Sequence, residues 1–174
     1  MTGRPRRSRP EASPLDRARA LALRVLAFHA RTEAQLRARL ARAGHEELAD
    51  EVVRWLSRLG YVDDAVYARD RARSLLRRLG PRGVERRLRA DGVASALARD
   101  AVAEAAEERV AGRPAGEGAE VALCRAALRA RLRGAEVAAL DARARARLAR
   151  LLLGRGFSGA AVARVLGPLD EAEG

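Results

Sequence analysis

The chain has 174 residues, a formal net charge of +12 and a pI of about 11.5, with 48% hydrophobic but only 3% aromatic residues. A single cysteine, Cys124, excludes an internal disulfide framework. No apolar run approaches the ~18 residues that a membrane-spanning helix needs.

Ala, Leu and Val carry the apolar content, and Arg is the commonest of the other residues. Helices favour Ala, Leu, Arg and Glu, whereas strands favour β-branched and aromatic side chains. The composition predicts an all-α protein. All 35 basic residues are Arg, set against 23 acidic ones. That excess points to an anionic partner, nucleic acid or an acidic protein surface. The N-terminus, with Arg4, Arg6, Arg7 and Arg9, lacks the apolar core of a signal peptide. A cytoplasmic protein with a disordered basic arm over residues 1–13 is expected.

The first helix is expected from Pro14 to about His29, with Leu15, Ala18, Ala22, Val25 and His29 as its stripe. Thr32 and Gln35 form a capping box that opens the second, which buries Leu36 and Leu40 and stops at Gly44. A third spans Glu46 to Leu59, with Leu48, Val52, Trp55, Leu56 and Leu59 inward. Gly60-Tyr61-Val62-Asp63-Asp64 is a turn, and Asp63 or Asp64 can cap the fourth helix, which carries Ala68, Ala72, Leu75 and Leu79. Gly80-Pro81 breaks it and starts the fifth, where Val84 and Leu88 lead to Gly92. The sixth runs from about Ser95 to Glu108. A Gly/Pro linker at 110–118 precedes a seventh with Val121, Cys124, Leu128 and Leu132 in line, ended by Gly134. The eighth starts near Asp141 and carries Leu148 and Leu152. Ser158 caps the ninth, and an acidic tail over 169–174 is expected to fray.

Leu36-Leu40-Gly44, Val84-Leu88-Gly92 and Leu148-Leu152-Gly156 repeat one pattern: two apolar residues a turn apart, then a glycine a turn later. The apolar pair shares one helix face, and the glycine takes the left-handed conformation that stops a helix. The pattern predicts three tandem three-helix repeats, at 14–61, 62–109 and 119–168. Units this small bury little alone, so they are expected to stack into an elongated, curved array.

Positive charge is spread along the chain, +3 over 1–13, +3 over 14–61, +2 over 62–109 and +4 over 110–174. Arg69, Arg73 and Arg77 recur every four residues, as do Arg125, Arg129 and Arg133, and Arg143, Arg147 and Arg150 sit on the eighth helix. Like charges one turn apart repel by ~0.2–0.5 kcal/mol per pair, so such stripes are suited to an anionic partner. Arg69, Arg73, Arg77, Arg86 and Arg89 are the leading binding candidates, with Arg125 and Arg129 second. His29 and His45 stand apart from Cys124, so no zinc site is expected. No nucleophile–His–Asp set and no phosphate loop is visible, and Asp63-Asp64 reads as a cap rather than a carboxylate dyad. No cofactor and no catalysis are expected.

Arg31-Thr32-Glu33-Ala34-Gln35-Leu36 leading to Gly44, then Leu59-Gly60-Tyr61-Val62-Asp63-Asp64 with Tyr67-Ala68, resemble the bacterial RecX family, the regulators of RecA recombinase. Arg77 to Pro81, then Val84, Leu88 and Gly92, and finally Arg155-Gly156-Phe157-Ser158 continue the resemblance in the same order. Gly60, Tyr61, Asp63, Asp64 and Tyr67 form its most specific string. Gly44, Gly80, Pro81, Gly92, Gly156 and Phe157 complete the motif residues. The resemblance implies three three-helix repeats in a curved rod. It also implies a monomer that binds RecA and its filament on single-stranded DNA, lies in the filament groove and mainly inhibits recombination, ATP hydrolysis and coprotease action.

A direct DNA-binding, helix-turn-helix reading is the alternative, with Arg31 to Arg42 as the recognition helix. Against it, Leu36 and Leu40 face inward and few Asn or Gln side chains are available to read bases.

Overall fold

The computed structural model describes residues 12–112, 117–132, 134 and 136–167, and among them it is all-helical. The basic arm up to residue 11, the centre of the Gly/Pro linker (113–116), Arg133 and the acidic tail lie outside the described residues. The helices are α1 (Pro14–Phe28), α2 (Glu33–Ala41), α3 (Glu46–Arg58), α4 (Asp64–Leu75), α5 (Pro81–Ala90), α6 (Ser95–Val110), α7 (Ala119–Leu132), α8 (Ala142–Gly154) and α9 (Gly159–Leu166). They pack in threes: α1 to α3 touch one another, as do α4 to α6 and α7 to α9, and α6 also touches α7. The chain divides into two compact units, one ending at Asp63 and one beginning at Asp64.

Unit 1 holds the first three helices around Ala18, Ala22, Leu36, Leu40, Val52, Val53 and Leu56. Ser13, at the end of the expected arm, accepts a hydrogen bond from the Asp16 N–H (3.1 Å) and caps α1. Thr32 is fully buried, and its capping box with Gln35 is present in both directions. Trp55 is half-buried against the core, with the Arg19 guanidinium 4.9 Å from its ring centre. Two residues depart from expectation. Leu59 follows the last residue of α3 as its cap and is 53% exposed. His29 lies beyond α1 in an extended conformation and is exposed, so it takes no part in the apolar stripe.

Three glycines end helices in the same way. Gly44, Gly92 and Gly156 have φ of 79°, 92° and 90°. In each case the N–H of the next residue donates back to a leucine carbonyl: His45 to Leu40 (3.0 Å), Val93 to Leu88 (3.0 Å) and Phe157 to Leu152 (3.2 Å). This is the Schellman closure, which satisfies orphan carbonyls at a helix end. The three leucines are themselves buried. One leucine thus contributes its side chain to the core and its carbonyl to the stop, which is the physical content of the repeated Leu–Gly spacing.

Unit 2 has one continuous core running from Ala68 and Leu88 through Val102 and Leu128 to Leu152 and Leu166. Small residues dominate α6, where Ala98, Ala101, Ala105 and Ala106 are buried. Between α7 and α8 the chain makes a short 3-10 turn, Val137–Ala139, which periodicity did not reveal. The Asp141 carboxylate accepts from the Ala144 N–H (2.6 Å) and caps α8, and the Ser158 hydroxyl caps α9. No helix of the described residues is long and apolar enough to cross a membrane.

Candidate functional site

The leading arginines all belong to unit 2, on α4, the turn after it, and α5. Arg69 and Arg73 share a side of α4, but that helix stops at Leu75. Arg77 therefore sits in the turn that follows and does not extend the helical stripe. Gly80-Pro81 begins five residues on, and the chain reverses there into α5.

Arg73 already has partners. Its Nε and Nη2 fork onto the two oxygens of Glu108 on α6 (2.7 and 3.3 Å), and its Nη1 reaches Asp70 (3.3 Å). The Glu108 carboxylate holds the guanidinium's pKa above its ordinary value. Arg125 is committed in the same sense, with Nε and Nη2 both on Glu117 Oε1 (2.8 and 2.5 Å). By contrast Arg69, Arg77, Arg86, Arg89 and Arg129 are exposed, and no ion pair engages them among the described residues. Arg86 and Arg89 are one turn apart on α5, so they project on one side of it. Arg143, Arg147 and Arg150 are likewise exposed on α8.

The motif residues play structural parts, each within its own unit. Gly60 has φ 75° and closes α3, with the Tyr61 N–H donating to Leu56 O (3.0 Å), while the Tyr61 side chain is exposed. Asp63 precedes α4 and Asp64 opens it. The Tyr67 hydroxyl donates to Asp91 Oδ2 (3.1 Å), which ties α4 to the end of α5. Pro81 is the first residue of α5, and Phe157 is buried in the core.

Two polar clusters escaped the sequence reading. Asp91 is only 7% exposed and lies 3.7 Å from Arg71 Nε and 3.5 Å from Arg87 Nε, in addition to Tyr67. Its signal was the matched four-residue spacing of Tyr67 with Arg71 and of Arg87 with Asp91. Glu120 of α7 accepts from both the N–H (2.6 Å) and the hydroxyl (2.8 Å) of Ser158, anchoring the start of α9. Nothing local marks that pair, because its members are 38 residues apart. Among the described residues no group of His, Cys, Asp or Glu is arranged to hold a metal ion. Cys124 is buried among apolar neighbours, and that burial pushes its thiol up to about 11.

Comparison with known proteins agrees with this scaffold. Residues 18–56 match the family model for the first three-helix domain of RecX. Regulatory protein RecX of Mycobacterium ulcerans (strain Agy99) and that of Mycobacterium marinum (strain ATCC BAA-535 / M) are each 44% identical over 64 residues. That stretch is 36% of this chain and 37% of each relative, so the match spans little more than a third of their length. The crystal structure of RecX from Lactobacillus salivarius shares the fold with a TM-score of 0.69 at 20% identity, over 90% of this chain and 97% of that one. A second crystal structure, of regulatory protein RecX, has a TM-score of 0.66 at 20% identity, over 87% of this chain and 72% of the other. The first three helices thus match the RecX family model, and the fold over most of the chain is that of the RecX crystal structures.

Proposed function

We propose that this chain is a non-enzymatic regulator that binds RecA, free and assembled on single-stranded DNA, and restrains its recombinase, ATPase and coprotease activities. The observation that carries the reading is the set of uncommitted arginines of unit 2. Arg69, Arg77, Arg86 and Arg89 are exposed and free of ion pairs among the described residues, within one short stretch of a chain with the RecX fold. Guanidinium groups pair bidentately with carboxylates and phosphates, both of which a recombinase–DNA filament presents. Occupying such a surface opposes entry of a second DNA and shifts assembly towards subunit loss. The protein acts in the cytoplasm and as a monomer. The relatives' name, regulatory protein RecX, supports a regulatory role.

The test is RecA's DNA-dependent ATP hydrolysis with the protein added. The wild-type chain is expected to lower the rate at stoichiometric amounts. The combined Arg69→Ala, Arg77→Ala, Arg86→Ala and Arg89→Ala variant is expected to keep its helical circular dichroism and lose the effect. No change in rate with wild-type protein would overturn the proposal. Binding to naked DNA distinguishes the direct DNA-binding alternative. There, log affinity falls with log salt by ~0.7 per phosphate neutralised on single strands and ~0.9 on duplex, and affinity matches or exceeds that for the filament.

A further inference from the structure

Unit 1 carries an open groove that the reading above does not use. It has a volume of about 480 Å³ and lies between the last turn of α1 and the outer face of α2. Val25 and Ala38 contribute apolar surface, Phe28 stands beside them, and Arg31, Arg39 and Arg42 surround it. No acidic residue lines it.

Phe28 is the most conspicuous side chain. It is the last residue of α1 and is 80% exposed, in a chain where aromatic residues are scarce. Leaving a phenyl ring in water forgoes ~1.5–3 kcal/mol of burial, so an isolated exposed ring beside an apolar recess suits a surface that is covered in use. Arg39 and Arg42 are exposed and Arg31 is half-buried. Elsewhere in unit 1, Arg37 pairs with Glu33 and Asp50, and Arg19 pairs with Glu51. Arg31, Arg39 and Arg42 make no ion pair among the described residues. An aromatic side chain framed by arginines is the composition of interface hot spots.

We propose that this groove docks an acidic peptide segment of a protein partner, with one aromatic or aliphatic side chain seated against Phe28, Val25 and Ala38. Carboxylates on either side of that anchor pair with Arg31, Arg39 and Arg42. Charge complementarity fixes the sign of the partner, and the apolar recess fixes the anchor. Single-stranded nucleic acid fits less well. It stacks successive bases on several aromatic platforms, and this groove offers one phenyl ring with His29 beside it. Gln35, the polar side chain best placed to read a base edge, has its carbonyl oxygen engaged by the Thr32 N–H in the capping box. The proposal concerns unit 1 alone and stands or falls independently of RecA.

The experiment uses the full chain and a displayed library of random dodecapeptides, followed by anisotropy titration of the synthetic peptides that enrich. Enriched sequences are expected to carry several Asp or Glu around one Phe, Trp, Leu or Ile. Phe28→Ala is expected to weaken them by about 30-fold, the effect of a hot-spot truncation of ~2 kcal/mol. Replacing the peptide's anchor by Ala is expected to cost a comparable factor. Arg39→Ala with Arg42→Ala is expected to weaken binding and flatten its salt dependence. Phe28 is exposed, so helical circular dichroism of Phe28→Ala should match wild type. Three results each overturn the proposal: failure of acidic sequences to enrich, peptide binding indifferent to Phe28→Ala, or an oligothymidylate whose affinity depends on Phe28 more steeply than the peptides' does.

Discussion

Gly83 and Gly156 meet backbone to backbone, one in the first turn of α5 and the other just past the end of α8. The Gly80 N–H donates to Arg155 O (2.9 Å) and the Arg82 N–H to Gly156 O (3.2 Å), so the two segments are laced by main-chain bonds. A Cβ on Gly156 would overlap the Gly83 nitrogen and Cα, and a Cβ on Gly83 would overlap the Arg155 carbonyl. Gly156 also sits at φ 90°, which L side chains avoid. The Gly-Pro and Arg-Gly-Phe strings, far apart in sequence, are two halves of one contact that binds the middle helix group to the last.

Gly156→Ala is therefore expected to destabilise unit 2 by about 2–5 kcal/mol, combining ~1–2 for the left-handed backbone with ~1–3 for the overlap. Gly44→Ala isolates the first contribution. It has φ 79° but nothing within 4 Å of an added Cβ, so it should cost only about 1–2 kcal/mol. Urea unfolding followed by far-ultraviolet circular dichroism measures both. Equal midpoint shifts for the two variants would remove the close approach as a cause.

Asp91 supports a second expectation. Its carboxylate is nearly buried and is satisfied by Tyr67, Arg71 and Arg87 together. Asp91→Ala removes the acceptor of the Tyr67 hydroxyl bond and the charge opposite two arginines. It should cost about 1–3 kcal/mol, a figure held down because Arg71 and Arg87 keep water contact. Tyr67→Phe should cost about 1–2 kcal/mol. The double variant should cost less than the two single losses added together, because the pair shares one hydrogen bond. Thermal melts of the three variants test the coupling.

Much of this architecture could be read locally. The capping box at Thr32, the prolines at the starts of α1 and α5, and the Leu–Gly stops act within one or two turns, so neighbouring residues suffice to reveal them. The misread residues sit where a helix ends: Leu59 is turned outward by the stop at Gly60, and Arg77 falls past the end of α4. Pairings set by tertiary contact were invisible. The sequence spacing of Arg69, Arg73 and Arg77 is regular, yet Glu108 claims Arg73 from another helix. The Glu120–Ser158 anchor and the Gly83–Gly156 contact likewise depend on chain segments that only folding brings together.

That difference between arginines predicts a split in the binding data. Arg86→Glu with Arg89→Glu reverses two uncommitted charges on one side of α5. Filament affinity is expected to fall by at least about tenfold, as for rim charges facing a complementary surface worth ~1.4 kcal/mol or more. Arg73→Ala removes a charge already neutralised by Glu108 and Asp70, and its effect on affinity should stay within about threefold, under ~0.7 kcal/mol. Co-sedimentation with RecA assembled on single-stranded DNA reads both. A larger loss for Arg73→Ala than for the α5 pair would mean that Arg73 exchanges its internal partners for the filament.

Cys124 gives a pH-dependent prediction. Burial raises its thiol from the ordinary 9.0 to about 11, with the Glu120 charge adding to the shift and Arg125 opposing it. The folded thiol therefore keeps its proton where the unfolded one loses it. Its contribution to stability is intact below pH 9.0, declines as pH rises above that value, and is gone once pH has passed about 11. Thiolate is the reactive form, so a disulfide reagent applied at neutral pH should leave the native chain unmodified and label one thiol per chain in denaturant. Cys124→Ala removes the titrating group and should flatten the loss of stability above pH 9.0, at the cost of a small cavity beside Leu123 and Leu128. Rapid labelling of the native chain at neutral pH would show instead that α7 opens readily and exposes this part of the core.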